Sequence, residues 1–162
     1  MIRTAAKLMM MGVAAILVLT GCARQDDVTF ARQVVTDMTR GRYAVRKLID
    51  WPNFVAFEKS VGSEYNALPN AEEKQNYERS FIDSFKKGFR EQKGSMKAFT
   101  GWRLFSRKDP DLRIVAADLA GGKIIFFVAV KSERGKRKIV ELKLMQVLDA
   151  EKFKAYEEEM KK

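Results

Sequence analysis

The chain has 162 residues, 46% of them hydrophobic and 32% charged, with 31 basic residues against 21 acidic ones and a formal net charge of +10. That is one domain's length of chain, with apolar residues enough for a single core and too many for a disordered polymer. It holds no histidine and a single cysteine, Cys22, which removes histidine-based acid–base catalysis, the commonest metal ligand and any intramolecular disulfide, so neither a metal nor a cofactor is expected.

Arg3 and Lys7 precede an apolar run from Leu8 to Leu19, which closes on Leu19-Thr20-Gly21-Cys22. A basic start, a short apolar stretch and a small-residue exit are the parts of a secretory signal peptide. The run is also shorter than the about 20 apolar residues a spanning helix needs. Its last four residues resemble the lipobox of bacterial lipoproteins. The resemblance implies cleavage between Gly21 and Cys22, a diacylglyceryl thioether on the Cys22 sulfur and a fatty acyl chain such as palmitate on the new amino group. Ala23 stands where an Asp would imply inner-membrane retention, so the resemblance further implies the periplasmic face of the outer membrane in a cell with two membranes. Residues 1–21 are then a signal peptide, 22–27 a tether and 28–162 one domain. Without Arg3 and Lys7 the mature chain keeps 29 basic residues against 21 acidic ones, a formal +8. Outside the cytoplasm the expected neighbours of that charge are anionic lipid headgroups or envelope proteins, with no nucleic acid.

In the mature chain, Val28, Ala31, Val34, Val35 and Met38 recur at helical spacing up to Thr39, and Gly41 is placed to end that helix. Tyr43 to Ile49 carries a second short helical pattern, which Trp51-Pro52-Asn53 breaks, because proline disfavours helix at the residue before it. Asn53 is expected to cap a short helix with Phe54, Val55 and Phe57, and residues 62–69 read as loop. Asn70 with Glu73 approximates a capping box for a long helix that persists to Lys93, with Gly94 as its stop. Tyr77, Phe81, Phe85 and Phe89 lie four apart on one face of it.

Beyond Gly94 the period falls to two. Strands are expected over 96–106, 112–119, 123–130 and 138–148, separated by turns at Lys108-Asp109-Pro110-Asp111, Ala120-Gly121-Gly122 and 132–136. The run Ile124 to Val130 is continuous enough for a central strand covered on both faces, and Asp149 is placed to cap a last helix through Phe153 and Tyr156. The expected fold is α+β, with N-terminal helices on one face of an antiparallel sheet of about four strands. This order of elements resembles the NTF2-like superfamily, and the resemblance implies a curved, cystatin-like cone with the long helix across its mouth. The segment Leu48-Ile49-Asp50-Trp51 through Phe54, Val61-Gly62 and the helix from Tyr77 to Phe89 is also similar to periplasmic phospholipid-binding proteins of the toluene-tolerance type, although the Trp-containing strand ending in a Gly-Val-Ser-like segment is missing.

Trp51, Phe54, Tyr77, Phe81, Phe85, Phe89 and Trp102 are candidates for the wall of an apolar pocket; the plainer reading is that they pack on the sheet as a filled core. Arg40, Arg42, Arg46 and Lys47, and separately Lys131, Arg134, Lys136, Arg137 and Lys138, form basic clusters that either meet anionic headgroups or are simply solvated. The Asp-His pair used by some NTF2-like enzymes has no counterpart, so only a Tyr–Asp pair drawn from Asp83, Asp118 and the tyrosines would support catalysis, and no enzyme is expected. Three readings follow. The first is a lipid-anchored, non-catalytic binding or accessory module of the cell envelope. The second is a periplasmic apolar-ligand or phospholipid-binding protein, and the third an NTF2-like enzyme without histidine.

Overall fold

The computed structural model describes residues 26–106 and 109–162. Helix α1 (Asp27–Thr39) begins where the Asp26 side chain accepts the Thr29 amide, and it buries Ala31, Val34, Val35 and Met38 completely. Gly41, at a φ of 68°, carries the chain out of it. A 3-10 helix at Tyr43–Leu48 and a second at Trp51–Asn53, built around Pro52, replace α-helical turns.

The next two elements differ from the sequence expectation. In place of a helix after Asn53 there is a two-residue strand, β1 (Val55–Ala56), followed by left-handed Phe57 and Glu58. The cause is long-range: β1 pairs in parallel with Glu141 and Leu142, and the Phe57 amide donates to the Leu142 carbonyl. Sheet pairing overrides a weak local helical pattern. Within the stretch expected to be loop, helix α2 (Val61–Asn66) forms because Gly62 has no side chain. A Cβ there would stand 2.4 Å from the Pro52 carbonyl oxygen, so only glycine lets α2 close on that turn.

Helix α3 (Ala71–Glu91) has the capping box read from the sequence, with the Glu73 amide donating to Asn70 and the Asn70 amide group donating to the Glu73 carboxylate. Its exit departs from expectation in one respect. Lys93, not Gly94, takes the left-handed conformation, while Gly94 donates to the Phe89 carbonyl and fits against that ring without a Cβ.

The remaining strands are β2 (Thr100–Ser106), β3 (Leu112–Leu119), β4 (Ile124–Glu133) and β5 (Lys136–Gln146). The sheet order is β1-β5-β4-β3-β2, antiparallel except for the β1–β5 pair. It is therefore a mixed, five-stranded sheet, not four antiparallel strands, and it is not strongly curled. Central β4 is apolar on both faces. Val128, in register with Val115 and Leu142, faces α1 and α3, whereas Ile125 and Phe127 face the opposite way with Phe105 and Ala116. That second face is covered by helix α4 (Ala150–Lys161), so the helices occupy both faces of the sheet and not one. The apolar reverse face of β4 requires such cover. Arg103 of β2 fixes α4 in place through two bonds to Glu157, the nearer 2.6 Å, and is itself held by a 2.8 Å bond to Asp118 of β3. The bond to Arg103 holds the Glu157 carboxyl below its ordinary pKa, and the bond to Glu157 raises that of Arg103.

Candidate functional site

The aromatic stripe of α3 has two fates. Along its N-terminal half the stripe itself is packed against other rings, although Trp51 and Tyr65 also border a separate cleft of about 610 Å³ with Lys47, Lys74, Glu78 and Lys138. The Phe81 ring meets Trp51 and Phe54 edge-on, with centroids 5.6 and 5.4 Å away, and Tyr65 stacks on Trp51 beside Tyr77. Phe54 has no exposed surface, Trp51 is buried, and the Trp51 indole N–H donates to the Arg46 carbonyl. Of the seven candidate pocket residues, Trp51, Phe54, Tyr77 and Phe81 thus pack together as a cluster.

Around the C-terminal half a groove of about 400 Å³ lies open between α3 and the sheet. Phe85, Gly88 and Phe89 form its helical wall, and Phe99, Phe126 and Leu144 its floor. Phe57, 40% exposed, stacks on Phe85 at the rim, and Leu144 is 46% exposed. Among the described residues the polar side chains lining it are Ser84, Gln92 and Ser95, and none that line it is charged. Such a groove suits a neutral apolar group, since a charge placed there would lose hydration without a partner. Its volume lies near the lower end of ordinary ligand sites, about 300–1,000 Å³. Trp102 stands one layer behind, stacked on Phe99, and its buried indole N–H has no hydrogen-bond partner among the described residues.

Sequence reasoning found Phe85 and Phe89 but missed Phe57, Gly88, Phe99, Phe126 and Leu144. Phe99 and Phe126 were visible as strand aromatics. Phe57 was not traceable, because its place depends on the left-handed turn after β1.

Three of the four tyrosines meet carboxylates, though not in the groove. Tyr77 donates to Glu64 at 2.6 Å, Tyr65 to Glu78 at 3.1 Å and Tyr43 to both oxygens of Asp83 at 2.9 Å. Burial, then the bond to Glu64, pushes the Tyr77 phenol up to about 12. Burial first, then Glu78, raises that of Tyr65, and the bond to Asp83 raises that of Tyr43. The Tyr43–Asp83 pair lies at the surface. Asp118 is engaged by Arg103.

The first basic cluster is partly neutralised, Arg42 by Asp37 at 3.0 Å and Arg46 by Glu78 at 3.8 Å. In the second, Arg137 pairs with Asp27 at 2.9 Å, while Lys131, Arg134, Lys136 and Lys138 border a cleft with Asp50 and Glu133.

Among the described residues no group of three or more His, Cys, Asp or Glu is placed to hold a metal, and no helix is long and apolar enough to cross a membrane. Gly21, Cys22 and the expected signal peptide lie outside the described residues. Compared with known proteins, the chain matches no protein-family model and no curated sequence.

Proposed function

We propose that the protein is a bacterial lipoprotein of the cell envelope, anchored by lipid on Cys22 at the periplasmic face of the outer membrane, and that its domain is a non-catalytic binding or accessory module. The observation that carries this reading is the ordered series of basic residues, apolar run and Leu19-Thr20-Gly21-Cys22. Chemistry supports it, since only the cysteine thiol among the side chains there forms a thioether. The test is expression in a two-membrane bacterium fed radiolabelled palmitate. The wild-type chain should carry label and fractionate with the outer membrane, and Cys22→Ala should lose both properties. Label retained by the Cys22→Ala chain would defeat the anchor.

The groove favours a second reading that is compatible with the first, in which the module binds an apolar ligand such as a single acyl chain. Gly88 supplies the means of testing it. It lies on α3 facing the groove, and a Cβ built there meets nothing within 4 Å. Gly88→Leu should fill the groove without strain and abolish binding of the neutral dye N-phenylnaphthylamine. Undiminished dye binding by that variant would remove the groove as a ligand site.

For the fold, the order of long helix followed by antiparallel meander supports a place beside the NTF2-like superfamily. The flatter sheet accords with an open groove in place of a deep conical pocket. An NTF2-like enzyme without histidine has less support, because the Tyr43–Asp83 pair is exposed to water, away from the groove.

A further inference from the structure

We infer that the β4–β5 hairpin end of the sheet, carrying Lys131, Arg134, Lys136 and Lys138, is a docking surface for anionic phospholipid headgroups, and that it turns the anchored domain so that the apolar groove opens away from the bilayer.

The charge arrangement is the first support. Lys131 and Lys138 stand directly opposite each other across the β4–β5 ladder. Like charges in that position destabilise a sheet unless a counter-charge is present. Arg134 occupies a left-handed turn position, with a φ of 48° before Gly135 at 79°, where Asn or Asp is the usual choice in a two-residue hairpin. Lys131, Arg134, Lys136 and Lys138 make no ion pair among the described residues; Asp50 and Glu133 line their cleft, Glu133 stands opposite Lys136, Asp111 lies beside Ser132, and Glu78 borders the neighbouring cleft at Lys138, so cations outnumber acids without being alone there. Tertiary structure also extends this surface. The Asp50 amide donates to the Ile139 carbonyl and Ile49 bridges to Ile139, so Lys47 and Lys138 border one cleft of about 610 Å³. The two basic clusters, separate in sequence, meet at Lys138.

Position is the second support, and it selects a membrane over a soluble acidic partner. Arg137 pairs with Asp27 and lies 6.0 Å from the centre of the Phe30 ring, which holds the first turn of α1 beside the hairpin. Cys22 precedes Asp26 by four residues, a span of at most about 14 Å. A lipid on Cys22 therefore keeps this hairpin within reach of the headgroups. Leu144, in the groove, is six residues further along β5 than Lys138, about 20 Å at the rise of a strand. One end of the sheet meets the membrane while the other stays free to bind.

This orientation rests on the anchor at Cys22, and the test separates the two. The full-length acylated protein is placed in nanodiscs of phosphatidylcholine alone or with phosphatidylglycerol, and amide hydrogen exchange is followed. The expected result is slower exchange across 131–138 only with phosphatidylglycerol, reversed by high salt and lost when Lys131→Gln, Arg134→Asn, Lys136→Gln and Lys138→Gln are combined. Each cation near an anionic surface is worth about a five-fold change in partitioning, so the combined variant should lose at least a hundred-fold. Equal exchange in both nanodiscs, or protection at 85–89 instead, overturns the inference. Failure to enter phosphatidylcholine nanodiscs defeats the anchor alone. Flotation of the same chain with the two kinds of vesicle then decides the docking surface: salt-sensitive binding to phosphatidylglycerol retains it, and binding to neither overturns it.

Discussion

The two halves of α3 carry the same residue types at the same spacing and end in different surroundings. Tyr77 and Phe81 meet Trp51, Phe54 and Tyr65, which the turns around Pro52 and Gly62 deliver to them. Phe85 and Phe89 meet Phe57 and Phe99 over an open groove. A stripe four residues apart thus specifies which face of a helix is apolar. It does not specify whether that face is filled, because filling depends on what the rest of the chain brings to it.

Truncation should separate the two halves most strongly. Phe54→Ala removes a ring with no exposed surface and is expected to cost about 3–5 kcal/mol in denaturant unfolding. Phe89→Ala, in the half-open groove, should cost about 1–2 kcal/mol, since less area leaves water on folding. Equal losses would mean that the groove is as well packed as the cluster. Gly62→Ala attacks the delivery of the cluster, and the clash with Pro52 should cost about 1–3 kcal/mol. Gly88→Leu acts on the open half in the opposite sense. Replacing a helical glycine next to empty space should stabilise by about 0.5–1 kcal/mol, read as a higher melting temperature.

The smallest effect concerns pH. Folding raises the Tyr77 phenol from 10 to about 12. The stability that neutral Tyr77 contributes is therefore complete below pH 10 and lost as pH rises through about 12. An ultraviolet titration should show a late ionisation step that Tyr77→Phe removes. If every tyrosine ionised together near 10, the filled half would be less enclosed than its geometry indicates.

Much of the architecture could be read directly. Asn70 with Glu73 starts α3, Asp149 caps α4 through the Glu151 and Lys152 amides, and the unbroken run from Ile125 to Val130 lies in the central strand. These signals are local, so their physics is complete within a few residues. Strand β5 shows where such reading slips. Strict alternation over 138–148 groups Val140 with Leu142 and Leu144 on one face, but a bulge pairs Ala129 with Glu141 and Val130 with Ile139, and Ile139 is the residue buried. One extra residue in a ladder reverses the facing of everything before it.

The class of fold, the apolar face of α3, the reverse apolar face of β4 and the positive charge are legible along the chain. Each follows from periodicity or composition. Four features are not: β1 joins the sheet in parallel, α4 crosses to the second face, half of the aromatic stripe is packed and half open, and two distant basic clusters meet at Lys138. The reason is common to all four. Each depends on a contact between residues far apart in the chain, and the free energy of such a contact lies in the partner as much as in the residue that can be read.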